Sequence, residues 1–371
     1  MSTPPSAPAV APPAFHPLLV TAVDPLGEDA VAVTLAVPPE LRATFRHTPG
    51  QHLTLRRLAA AGAGAEGAEM RRTYSICSPA DDDPATLRIG IRLVEGGAFS
   101  PYACKELAPG DTVHALPPAG RFTLAPRPGR YAAIVGGSGI TPVLSIAATL
   151  LSREPEARFH LVRSDRTTAS TMFLEETADL KDRHPDRFHL LNALSREDQQ
   201  AGLPPGRLDE PRLTALLPAL LPVDSVDGWF LCGPYGLVQE AERALRTLGV
   251  PRDRVHREIF HAAAVPASAV PDPAAAAPAL TATVTATLGG RAGTYSALPG
   301  ESLLDTVLRN RPDAPYACKG GVCGTCRSRL LTGEVTMDRN FALEPEETDA
   351  GYVLACQSHP TTPRVELDFD A

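Results

Sequence analysis

Residues 131–142 read YAAIVGGSGITP, and the chain's architecture turns on them. A short apolar run, Tyr131–Val135, breaks into three glycines. A helical pattern then opens, with Val143, Leu144, Ala147, Leu150 and Leu151 recurring at helical spacing. Thr141 is a sensible N-cap and Pro142 a sensible first helical residue. A strand, a glycine turn and a helix in that order present backbone N–H groups and a positive helix end to an anion. Gly137 and Gly139 would let a pyrophosphate come close. The full G-x-G-x-x-G fingerprint is missing because Pro142 takes its last place. A tight strand-to-helix turn without a ligand would read the same.

Towards the C-terminus the same rhythm continues. Strand-like runs at Arg158–Arg163, Phe188–Leu194 and Gly228–Cys232 alternate with helical patterns near 171–184, 210–221 and 235–248. Alternation of this kind predicts a doubly wound parallel sheet over residues 127–260. Cys232-Gly233-Pro234 ends a strand where nicotinamide chemistry would sit in such a sheet. The second strand ends in Ser164-Asp165-Arg166. An acid there favours the 2′-hydroxyl of NADH and an arginine the 2′-phosphate of NADPH. The expectation is NADPH, with Ser164 and Arg166 as phosphate donors; Asp165 keeps NADH open, and a solvated Asp–Arg loop pair is the plain alternative.

Towards the N-terminus, residues 16–126 change character. Val31–Val37, Gln51–Arg57 and Thr86–Val94 are short β-branched or alternating runs set off by proline and glycine. They predict a sandwich or barrel. Arg72, Tyr74 and Ser75 lie between two of these runs. Arginine can neutralise a flavin pyrophosphate, tyrosine can stack on an isoalloxazine, and a serine hydroxyl can bond the ring. Residues two apart share a strand face, so Arg72 and Tyr74 point the same way. Gly97 and Ser100 stand at a helix start suited to another phosphate contact.

Beyond residue 260, the stretch 261–279 reads HAAAVPASAVPDPAAAAPA and lacks hydrophobic periodicity, which predicts a linker. Residues 1–15 are rich in proline and alanine and read as a flexible tail. In 280–371 two strands, 281–288 and 291–297, flank a Gly289-Gly290 turn and precede a short helix, Ser302–Asn310. Then comes CKGGVCGTC at 318–326. Cys318, Cys323, Cys326 and Cys356 follow the spacing C-x4-C-x2-C-x29-C of plant-type [2Fe–2S] proteins. Each of two irons takes two thiolates, so a tight loop must wrap the cluster with three of them. Gly320, Gly321 and Gly324 would allow that wrapping and bring N–H groups to the sulfides. The fourth thiolate is expected on a strand, Tyr352–Gln357. A zinc site would show paired short knuckles, and here there is a three-plus-one set. Cys77 and Cys104 read as small core residues.

Composition bounds the rest. The 371 residues allow two to three domains, and 43% hydrophobic with 21% charged residues is an ordinary globular balance. A net charge of −8 argues against nucleic acid as a partner. No apolar run reaches the roughly 18 residues of a membrane span. The opening residues lack a secretory pattern, and the expected location is cytoplasmic, where structural disulfides are rare.

Arg72-x-Tyr74-Ser75, GGSGITP at 136–142 and Cys232-Gly233-Pro234 together resemble the ferredoxin–NADP reductase family. With the C-terminal plant-type ferredoxin pattern, the chain is similar to reductase components of multicomponent oxygenases. FRHTPGQHLTL at 45–55, MRRTYSIC at 70–77 and GYVLACQ at 351–357 bring it nearest to those serving phenylacetyl-CoA 1,2-epoxidases. The resemblance implies an antiparallel β-barrel for FAD, an α/β domain for NADPH and a β-grasp ferredoxin domain. It implies that Arg72, Tyr74 and Ser75 bind FAD and that Gly97 and Ser100 contact its pyrophosphate. Thr141 and Cys232 would lie near the nicotinamide–flavin junction, beside Glu258 and Phe260 of the last strand. Ser75, Cys232 and Glu258 would be the catalytic set. Electrons would run from NADPH through FAD and the cluster to a separate diiron oxygenase. A Rieske ring-hydroxylating or demethylating oxygenase is the alternative recipient, and a zinc-stabilised interaction module is the alternative of another class.

Overall fold

The computed structural model describes residues 14–58, 69–97, 99–198, 203–261 and 282–371. All of the expected tail but residues 14 and 15, and all of the expected linker but residue 261, fall outside them. Among the described residues, 15–261 make one compact unit and 282–371 a second.

The first unit begins with six strands: β1 (His16–Pro25), β2 (Ala30–Ala36), β3 (His52–Leu58), β4 (Glu69–Ser75), β5 (Thr86–Arg92) and β6 (Thr112–Ala115), with helices α1 (Arg42–Phe45) and α2 (Ser100–Lys105) between them. Their order in the sheet is β4-β3-β6-β1-β2-β5, and every pairing is antiparallel. A bridge from Ile76 to Ile89 joins the two edges, so the sheet closes on itself. Leu18, Val33, Leu35, Leu53, Leu55, Ile89 and Ile91 fill the interior.

Five parallel strands follow: β7 (Arg130–Gly136), β8 (Arg158–Asp165), β9 (Phe188–Leu194), β10 (Gly228–Pro234) and β11 (Val255–His261). Helices α3 (Ile140–Arg153), α4 (Leu174–Arg183), α5 (Glu210–Leu220) and α6 (Tyr235–Thr247) connect them. The order β11-β10-β7-β8-β9 runs outward from β7 in one direction and from β10 in the other. With right-handed crossovers, α3 and α6 fall on opposite faces, and the order reverses between β7 and β10. One apolar core runs from this sheet into the barrel, joining Ile140, Val143, Phe159 and Phe230 to Leu26, Ala32, Phe122 and Leu124.

The second unit holds β12 (Thr283–Leu288), β13 (Arg291–Ser296), β14 (Arg327–Thr332), β15 (Val335–Met337), β16 (Tyr352–Leu354), β17 (Ser358–Pro360) and β18 (Arg364–Asp368). Its main sheet has the order β13-β12-β18-β14-β16, with β12 and β18 parallel. Helix α7 (Leu303–Leu308) buries Leu303, Leu304 and Val307 in the same core as Val284, Leu354 and Leu367. Ser302 caps it by accepting from the Asp305 N–H at 3.1 Å. A last short helix, α8 (Pro345–Asp349), precedes β16.

Two local expectations are corrected. Thr141 is not an N-cap. Gly137–Gly139 coil into a 3-10 turn and α3 starts at Ile140, so the Thr141 hydroxyl donates backward to the Ser138 carbonyl at 2.9 Å. Cys356 is not on a strand. β16 ends at Leu354, and Ala355–Gln357 form a 3-10 turn that swings the cysteine out of the ladder.

Candidate redox site

The ends of β7 and β10 meet at the reversal of strand order. Gly139 is required there: a Cβ on it would stand 2.2 Å from the Cys232 carbonyl oxygen. Gly233 has φ +140, and a Cβ on it would stand 2.7 Å from the Gly136 carbonyl oxygen. The glycine turn and Cys232-Gly233 are therefore one surface, with Pro234 exposed at its rim. Cys232 pairs in register with Glu258 on β11, and its sulfur lies 4.0 Å from the Glu258 carboxylate. Burial pushes the Cys232 thiol well above its usual range. Glu258 keeps part of its surface, yet protein packed around its carboxyl pushes it up to about 8. Phe260 lies two residues on, half-buried against the shared core. Thr141 is buried, and its methyl rests near Gly90 of the barrel strand β5.

On the barrel, the register sets Tyr74 opposite Leu53, Arg72 opposite Leu55 and Ser75 opposite His52. Arg72 and Tyr74 thus share a face, both half-buried, while Ser75 is buried. The Tyr74 ring lies 5.5 Å from Phe99, and burial raises its phenol. Arg72 donates to the Arg71 carbonyl at 2.7 Å. Ser100 is buried, and its hydroxyl accepts from the Val94 N–H at 3.0 Å; Gly97 N–H donates to the Val94 carbonyl at 2.9 Å. That loop is held by its own polar groups. Cys77 and Cys104 have their thiols on the carbonyls of Arg88 and Ile91, as small core residues do.

The strand end at 164–166 differs from a ribose-binding one. Asp165 is buried and paired with Arg163 at 3.3 Å, and it accepts the Gly137 N–H. Burial moves both partners towards neutrality, lowering Arg163 and raising Asp165. Arg163 also donates to the Met172 carbonyl at 2.7 Å and to Thr177 at 3.1 Å. Ser164 is half-buried and Arg166 exposed. Sequence reading missed this pair, although Arg163 and Asp165 stand two apart on one strand, the spacing of a shared face.

In the second unit, Cys318 hydrogen-bonds with Cys323 and Cys326 with Cys356. Two thiol pairs suit a group of two irons that take two thiolates each. The Cys323 hydrogen bond, with N–H groups of Gly320, Val322 and Cys323, holds the Cys318 thiol below its usual range. Gly320 N–H reaches that sulfur at 3.3 Å. Cys326 is pushed up by its bond to Cys356 and by burial, while Cys356 is lowered, with Gly321 N–H and the Gln357 amide helping. That amide also donates at 3.0 Å to the Lys319 carbonyl, tying the fourth cysteine's turn to the loop of the other three. Gly321 and Gly324 have φ +76 and +69 as the loop demands, but Gly320 does not; Lys319, at φ +50, makes the third left-handed turn. Among the described residues no three His, Cys, Asp or Glu side chains converge on a point that would hold a single metal ion, and no helix is long and apolar enough to cross a membrane.

Residues 286–361 match the family model described as 2Fe-2S iron-sulfur cluster binding domain, and 133–243 match oxidoreductase NAD-binding domain. The chain is 42% identical over 360 residues to one of the subunits of the 1,2-phenylacetyl-CoA epoxidase of Escherichia coli, covering 96% of this chain and 98% of that one. It is 33% identical to the ferredoxin reductase component of 3-ketosteroid-9-alpha-monooxygenase from Rhodococcus rhodochrous, over 95% of this chain and 96% of the other. In fold it is similar to phthalate dioxygenase reductase, with a TM-score of 0.59 and 21% identity, covering 96% and 98% of the two chains.

Proposed function

Because the chain belongs to the ferredoxin–NADP reductase-like oxygenase reductases that carry a C-terminal [2Fe–2S] domain, we propose that it takes electrons from NADPH and delivers them to a separate diiron oxygenase acting on phenylacetyl-CoA. The fused surface of Gly137–Gly139 and Cys232-Gly233, with Glu258 beside it, carries this reading. It lies at the reversal of strand order, where a dinucleotide fits an open parallel sheet.

The chain's residues divide the work. Arg72, Tyr74 and Ser75 would hold FAD on the barrel, with Gly97 and Ser100 near its pyrophosphate. Gly137 and Gly139 would admit the nucleotide's pyrophosphate. Thr141, Cys232, Gly233, Pro234 and Phe260 would border the nicotinamide. Glu258, with its carboxyl held largely protonated near neutral pH, could keep a proton beside that junction. Asp165 is withdrawn onto Arg163, which leaves Ser164 and Arg166 to face a 2′-phosphate and favours NADPH. Cys318, Cys323, Cys326 and Cys356 would hold the cluster. FAD held there would supply the conversion between paired and single electron transfer.

The test is reconstitution. NADPH oxidation should couple to epoxidation of phenylacetyl-CoA when the chain is mixed with that oxygenase. Cluster reduction without coupling to this oxygenase would redirect the chain to another one, such as the hydroxylating type.

A further inference from the structure

One carboxylate from the barrel sits among the cations around the glycine turn. Asp29, just before β2, accepts from Arg92 Nε of β5 at 2.9 Å and from Arg166 Nη2 at 3.2 Å. Arg92 also donates to the Ser170 carbonyl, and its Nη1 stands 2.6 Å from where a Cβ on Gly137 would be. The turn carrying Asp29 is fixed in place. Glu28 N–H donates to the Ala169 carbonyl at 3.2 Å, Leu93 N–H to the Asp29 carbonyl at 2.7 Å, and a Cβ on Gly27 would meet the Ala169 oxygen at 2.4 Å. The other charges here are spoken for. Asp165 neutralises Arg163, and Glu197 accepts from Thr168 N and Oγ1. Two arginines thus share one carboxylate.

From this juxtaposition we infer that Asp29 is a specificity-determining residue: it competes for Arg166 with the 2′-phosphate of NADPH and thereby holds the chain's NADPH-over-NADH preference down. The inference rests on reading the β7 turn as the nucleotide site. The Asp29–Arg166 pair is half in solvent, and such pairs yield readily. A phosphate dianion offers Arg166 a stronger charge-assisted bond but must lie beside the Asp29 anion to make it. NADH has no 2′-phosphate and does not meet this opposition. Arg92 would face the pyrophosphate common to both nucleotides, so its tie to Asp29 affects them alike.

Flavin reduction by NADPH and NADH, run in parallel on the flavin-loaded full chain, tests it. Asp29→Asn should raise the NADPH-to-NADH ratio of kcat/KM by roughly fivefold to tenfold, through KM for NADPH, with kcat held. A purely structural Asp29 would move both KM values together and leave the ratio unchanged, which overturns the inference, as does a fall in the ratio. Arg166→Ala gives an independent reading: the ratio should drop by about tenfold, and no change would overturn the inference even where Asp29→Asn fails to fold. If neither nucleotide reduces the flavin in the unaltered chain, the nucleotide-site reading itself has failed.

Discussion

Glu258 is the residue whose chemistry depends most on its setting. Its carboxyl is raised from 4.5 to about 8 by burial. The folded chain therefore holds a proton that the unfolded chain releases above about pH 4.5. Stability owed to this group is whole below that pH and is lost as pH rises through about 8. Glu258→Gln removes the effect. Thermal melts from pH 4 to 9 should show the variant matching the parent in acid and exceeding it increasingly up to about pH 8. A constant difference would refute the assignment. Cys326→Ser removes one sulfur of the second pair. Electron delivery to an oxygenase should fall by about a hundredfold, while ferricyanide reduction at the flavin persists; visible spectra should show flavin bands without the cluster. These cysteines were legible because their spacing is local chemistry. The loop's left-handed residue was not: glycine marks where the chain is free to turn, and Lys319 shows that the loop, not the residue type, selects the position.

At the scale of elements, strands and helices were readable because apolar periodicity is written along each one. Their ends were less so. α3 begins at Ile140 because Gly137–Gly139 already form a turn of 3-10 helix, and Thr141 is carried inside. β8 hid more. RFHLVRSD reads as a strand with a polar end, but α4 and the loop before it cover that end and bury Arg163 and Asp165. Which face gets covered is decided by packing across the sheet, and no window along β8 contains it. Removing one member of such a pair strands the other in apolar surroundings. Asp165→Leu should cost about 3–5 kcal/mol in urea unfolding, and Arg163→Met added to it should recover most of that. If the double variant is no better than the single, the pair's charges are not what sets the cost.

At the scale of the whole molecule, each of the two units has its own core. Residues 15–261 expressed alone should bind flavin and reduce ferricyanide with NADPH at close to the full chain's rate, yet fail to drive an oxygenase. Loss of flavin from the shortened chain would show that the units depend on each other. The order of the architecture was legible: antiparallel runs, alternating strands and helices, then the cysteine loop. The common core of barrel and parallel sheet was not, because Leu26 and Phe122 look like ordinary strand and loop residues until Phe230 packs edge-on against Phe122 at 5.4 Å.

That shared core constrains how the enzyme breathes. A clamshell opening between barrel and sheet would drag Phe122, Phe230 and their neighbours into water at every turnover. Dinucleotide traffic is thereby left to the rim, where Pro234 and Arg166 stand exposed.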